Sequence, residues 1–99
     1  MSLGQFIHFV ILLNKVPNKE TTKEVIKSHV EHLKTLDQQG KLVLSGPFTD
    51  FPSGMVVIKA ANKIEAETIA QADPFVIEGV RSYEIRTWHL ACAENNYLE

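Results

Sequence analysis

Residues 6–13 read Phe6-Ile7-His8-Phe9-Val10-Ile11-Leu12-Leu13. The run is β-branched, aromatic and aliphatic, with polar residues on either side, which predicts a strand. It does not alternate. Both of its faces are apolar except at His8, and a strand apolar on both faces has to be covered on both. A chain of 99 residues has enough helix to cover one face of a sheet. The other face therefore calls for a second copy of the chain, most simply in a two-fold dimer.

Downstream the pattern changes period. Asn14 to Thr21 is a polar loop around Pro17. Thr22 to Gln39 repeats at helical spacing, with Thr21 or Thr22 as the cap, Glu24 in the first turn and Gly40 just past the end. Its apolar stripe is Val25, Ile26, Leu33 and Leu36. At about 100° per residue, His29 falls in the centre of that stripe and His32 about 60° off, at its edge. A helix that only packs would carry Leu or Ile at position 29. An imidazole there loses water and needs hydrogen-bond partners. Either it is a core histidine satisfied by a backbone carbonyl, or it points into a small cavity between helix and sheet.

Lys41 to Phe48 reads as a second strand, running into Ser45-Gly46-Pro47. Glycine removes a side chain where another group can approach, and proline ends a ladder. This is an ordinary strand end or a pocket wall with a hydroxyl at Ser45. Thr49 to Gly54 has turn chemistry and Met55 to Ala60 is a third strand, so the two strands form a hairpin. Asn62 to Ala72 is a second amphipathic helix, capped by Asn62 with Glu65 three residues on, and Ile64, Ile69 and the alanines are its expected buried side. Val80 to Leu90 is the last strand, and Ala91 to Glu99 a polar tail.

Between the second helix and the last strand stands Ala72-Asp73-Pro74-Phe75. A residue before proline is biased away from the α region, so the helix stops there. Pro74 then suits the first position of a new short turn, with Asp73 as its N-cap. A functional role for Asp73 needs a partner, and the best candidate is His29. The element order, strand-helix-strand-strand-helix-strand, is the ferredoxin-like βαββαβ pattern. It predicts an α+β domain over residues 1–99, with an antiparallel four-stranded sheet and both helices on one face. Two such sheets stacked make a dimeric α+β barrel.

Composition excludes several classes. The hydrophobic share of 44% and charged share of 22% are those of an ordinary globular protein. A net charge of -2 without a Lys/Arg cluster argues against nucleic-acid binding. No run is long enough to cross a membrane, and residues 6–13 lack the flanks of a signal peptide. One cysteine, Cys92, excludes an internal disulfide framework and a cysteine-based zinc site, and suits the expected cytoplasmic location.

His29 with Leu33 and Leu36, then Gly40, Ser45-Gly46-Pro47, Ala72-Asp73-Pro74-Phe75 and Gly79 follow one another at fitting spacings. In this combination the chain resembles the YCII-related (YciI-like) family over nearly its whole length. The resemblance implies the dimeric ferredoxin-like fold already reached from pattern. It also implies an Asp–His pair in a pocket, here Asp73 and His29. A few relatives act in the breakdown of chlorinated aromatics or on muconolactone-type substrates, and muconolactone isomerases share the architecture.

An Asp that accepts from one imidazole nitrogen fixes the tautomer and leaves the other nitrogen to take a proton from a substrate. Isomerisation or elimination next to a carbonyl needs no cofactor, and none is expected. His29, Asp73 and the rim formed by Ser45, Gly46, Pro47 and Phe75 are the candidate site. Nucleophilic catalysis is disfavoured: Ser45 has no elbow around it, and Cys92 lies away from the motif. His29 and His32, three apart on a helix, could ligate a metal with Asp73, but the sequence carries no clear metal signature and no metal is expected. The competing reading is a non-catalytic dimeric module that binds a small acidic or aromatic ligand. Catalysis requires an imidazole nitrogen open to the pocket; a structural role engages both.

Overall fold

The sheet is assembled on the apolar first strand. In the computed structural model, which describes residues 3–99, β1 (Ile7–Lys15) runs between β3 (Ser53–Ile58) and β4 (Arg81–His89), with β2 (Leu42–Pro47) outside β3. The order is β2-β3-β1-β4, and every pairing is antiparallel.

Alternation divides the faces of β1. Phe9, Ile11 and Leu13 enter the core, 3–4% exposed, and oppose Ile58 and Val56 on β3. Ile85 pairs with Ile11 from the other side. Helices α1 (Lys23–Gln38), α2 (Lys63–Gln71) and the single turn α3 (Pro74–Ile77) supply Val25, Leu36, Ala66, Ile69, Ala70 and Phe75 to the same core. On the opposite face Val10 and Leu12 are half-buried, while Leu44 and Trp88 are 54% and 45% exposed. The fold is the ferredoxin-like α+β arrangement.

Each helix starts and stops where local chemistry dictates. The Thr22 hydroxyl accepts from the Val25 N–H at 3.2 Å, and Asn62 Oδ1 accepts from the Glu65 N–H at 2.9 Å. Gly40, at φ +72°, turns the chain out of α1, and the Lys41 N–H closes back on the Leu36 carbonyl.

Two expectations are corrected. β3 begins at Ser53, not Met55, and ends at Ile58, not Ala60. Ser53 is pulled into the ladder because it pairs with Asn14, its hydroxyl donating to Asn14 Oδ1 at 2.7 Å. Ile64, expected in the buried side of α2, is 78% exposed, because Ala66, Ile69 and Ala70 alone face the sheet. The polar tail holds an irregular helical segment, Ala93–Leu98, tied down by the Asn95 side chain, which donates to the Leu90 carbonyl and accepts from the Cys92 N–H.

Candidate functional site

Asp73 is placed by a helix stop and restart. Its own N–H ends α2 on the Ala70 carbonyl, its backbone is extended at φ -67° and ψ 126°, and its Oδ1 accepts from the Phe75 N–H at 2.9 Å. It is therefore the N-cap of α3, with Pro74 at the first helical position. The cap occupies only part of the carboxylate. His29, on the middle turn of α1, donates from Nδ1 to Oδ1 at 2.8 Å and lies 2.9 Å from Oδ2. Capping and partnering His29 are thus not alternatives; one carboxylate does both.

The side chains of His29 and Asp73 are 13% and 5% exposed. Little water competes for their hydrogen bond, and a charge-assisted bond at this distance is among the stronger ones. The His29 ring stacks on Phe75, centroids 3.9 Å apart and planes 10° from parallel. Two contacts therefore set the imidazole: the carboxylate fixes which nitrogen carries the proton, and Phe75 fixes the ring plane. Among the described residues Nε2 has no hydrogen-bond partner.

A cavity of about 430 Å³ opens in front of the imidazole. It is walled by Ile26, His29, Val30 and Leu33 of α1, the Ser45-Gly46-Pro47 end of β2, residues 53–56 of β3, and Phe75. The wall is mostly apolar with a few polar groups, the usual make-up of a small-molecule site. The structure thus brings His29, Ser45, Gly46, Pro47 and Phe75 around one space, with Asp73 immediately behind His29. Ile26 and Val30, 44% and 39% exposed, are not core residues but cavity wall. Cys92, half-buried after β4, does not line this cavity.

His32 stands one turn along from His29. Burial holds its imidazole below the ordinary value of 6.5, and the His29 charge adds to this. The Asp73 carboxylate and the Ile69 carbonyl act in the other direction. Among the described residues no cluster of three His, Cys, Asp or Glu side chains has the geometry to hold a metal ion.

The sequence reading missed Arg81 and Thr21. Arg81 opens β4 and reaches into the cavity, where Nη1 donates to the Thr21 hydroxyl at 2.9 Å and to the Val80 carbonyl at 3.0 Å. Its guanidinium carbon lies 5.2 Å from the centroid of the Phe75 ring. The signal was faint: Thr21 was weighed only as a helix cap, and nothing around Arg81 in the sequence shows that the strand start faces α1.

Comparison with known proteins agrees with this architecture. The YCII-related domain family matches residues 7–89. Uncharacterized protein YjpA of Bacillus subtilis (strain 168) is 32% identical over 82 residues, covering 83% of this chain and 96% of that one. A similar solved structure is 5-chloro-2-hydroxyhydroquinone dehydrochlorinase from Burkholderia phenoliruptrix AC1100, in complex with 2,5-dihydroxybenzoquinone. It has a TM-score of 0.62 and 20% identity, over 82% of this chain and 92% of that chain. At that identity the likeness is one of fold.

Proposed function

The chain belongs to the YCII-related family, and from that premise we propose that it is a cofactor-independent enzyme that uses His29 as an acid/base for a small-molecule isomerisation, lyase or dehalogenation reaction. The observation that carries the reading is the asymmetry of His29, a cavity-lining residue: Nδ1 is bound to Asp73 while Nε2 has no protein partner among the described residues. A histidine with a purely structural role would have both nitrogens engaged.

In this reading Nε2 takes a proton from a carbon next to a carbonyl. The C–H electron pair forms a new double bond, and chloride or a carboxylate oxygen leaves, or the proton returns at another carbon. Asp73 stabilises the imidazolium formed in between. A positioned base of this kind is typically worth about 10²–10⁴ in rate. The similar fold of a dehydrochlorinase nominates chlorinated hydroxyhydroquinones, beside unsaturated lactones, as the first compounds to assay.

The test is turnover of such a panel. We expect wild-type activity on at least one compound, with His29→Ala and Asp73→Asn each lowering it about 10²–10⁴-fold while keeping native circular dichroism. Should both variants unfold instead, the pair is structural and the catalytic reading falls.

We also propose that two copies pair through the open sheet face, where Leu44 and Trp88 remain exposed beside Val10 and Leu12. Light scattering is expected to give twice the chain mass of 11.1 kDa, reduced to the single-chain value by Trp88→Glu. A monomeric wild type would rule the pairing out.

A further inference from the structure

Arg81 is the cavity-lining residue that the acid/base step does not use. Among the described residues it has no carboxylate partner: the ion pairs are His29–Asp73, Lys34–Glu31, Lys41–Glu65 and Arg86–Glu84. Only one arm of its guanidinium is engaged, Nη1 with Thr21 and Val80. Among the described residues Nε and Nη2 have no protein partner. These two N–H groups form the side-on edge of the fork, the edge that receives a carboxylate through two parallel hydrogen bonds. A permanently charged donor is thus held in a mostly apolar wall with its bidentate edge unused.

The cavity offers no competing charge. Its lining contains no Asp or Glu, and the Asp73 carboxylate is turned toward His29 and the start of α3. The other polar side chains at the wall are the hydroxyls of Thr21, Ser45 and Ser53, and two of these are committed, Thr21 to Arg81 and Ser53 to Asn14. Arg81 and His29 both contact the Phe75 ring and both line this one cavity, so a small ring compound held there meets both a cation and an imidazole.

We propose that Arg81 is the specificity-determining residue of this site and selects small planar monoanions: its Nε–Nη2 edge binds a carboxylate, so that the ring bearing that carboxylate presents its labile proton to His29 Nε2. This deepens the acid/base reading and rests on it for the second clause only. Thr21 is a positioning residue, which holds the fork by its Nη1 arm.

The test compares benzoate with its neutral isostere benzamide, titrated into the protein and followed by NMR shifts of the His29 and Phe75 rings. Wild type is expected to bind benzoate at least tenfold more tightly. Arg81→Gln should weaken benzoate by roughly 10- to 100-fold, the loss of a hydrogen-bonded charge, and leave benzamide unchanged. Arg81→Lys should restore only part of the preference, because an ammonium has no planar fork. The benzoate-to-benzamide ratio is measured within each variant, so a modest loss of stability does not imitate the result.

Equal binding of the two compounds overturns the proposal. So does an unchanged ratio in Arg81→Gln, and so does failure of benzoate to bind at millimolar concentration. The catalytic reading fails separately. If His29→Gln keeps benzoate binding and no acid is ever turned over, the anion site stands and catalysis falls. If only neutral substrates are turned over, catalysis stands and the anion site falls.

Discussion

The two long helices occupy equivalent places in the two halves of the fold, and they do different work. α2 meets the sheet through Ala66, Ile69 and Ala70, which are 0–7% exposed. Small side chains let a helix pack closely, and no α2 residue lines the cavity. α1 meets the sheet at its ends, through Val25 and Leu36, and between them carries Ile26, His29, Val30 and Leu33 over the cavity. Opposite stand Ser45, Gly46 and Pro47, residues too small to fill the gap. Space for a ligand comes from larger side chains on one helix set against smaller ones on one strand end. The two N-caps on the α2 side differ in the same way: Asn62 is exposed and only caps, whereas Asp73 is 3% exposed and caps while holding His29.

Asp73→Ala tests that difference most severely. It removes a cap and leaves His29 Nδ1 unpaired in a nearly dry place, so the loss should be about 2–4 kcal/mol, read from urea midpoints at constant slope. A loss no greater than that of Asn62→Ala would make the two caps equivalent. Next comes Ala70→Leu, which forces volume into a filled contact and should cost about 1–3 kcal/mol. Val30→Leu adds bulk on α1 where there is room, and it should cost under about 1 kcal/mol while weakening benzoate binding. Similar costs at both positions would mean that α1 packs no more loosely than α2. Asn62→Ala should cost about 1 kcal/mol and leave turnover and ligand binding unchanged.

The smallest effect is one of pH, at His32. Burial lowers its folded-state affinity for a proton below that of the unfolded chain, whose value is 6.5. Between the two values the unfolded chain binds more protons, so stability is present above 6.5 and is lost as pH falls through the lower folded value. His32→Gln should therefore flatten part of the decline in wild-type urea midpoint on going from pH 7.5 to pH 5. Parallel curves for the two proteins would remove His32 from the balance.

How much was legible follows from the range of each force. Thr22, Asn62 and Asp73 act on N–H groups two or three residues away, and Gly40 and Gly79 turn the chain where they stand, both at φ +72°. Such signals are local, which is why the helices and their stops could be read directly. Ile64 shows where periodicity fails: a helix of 9 residues has too few turns to tell its flank from its buried face. The start of β3 was misplaced because Ser53 is held by Asn14, 39 positions away in the chain.

By itself, then, the sequence determined the βαββαβ order, the caps and the oddity of a histidine in an apolar stripe. Proline chemistry, helical period and β-propensity are properties of neighbouring residues. Only the tertiary structure decided that one carboxylate serves both α3 and His29, that Phe75 stacks on that imidazole, and that Arg81 enters the cavity with its fork half used. His29 and Asp73 are 44 residues apart, and a contact over that distance exists only once the sheet has set α1 beside the start of α3. The cavity depends on the same step, because its volume is the mismatch between side chains on α1 and on the strand ends.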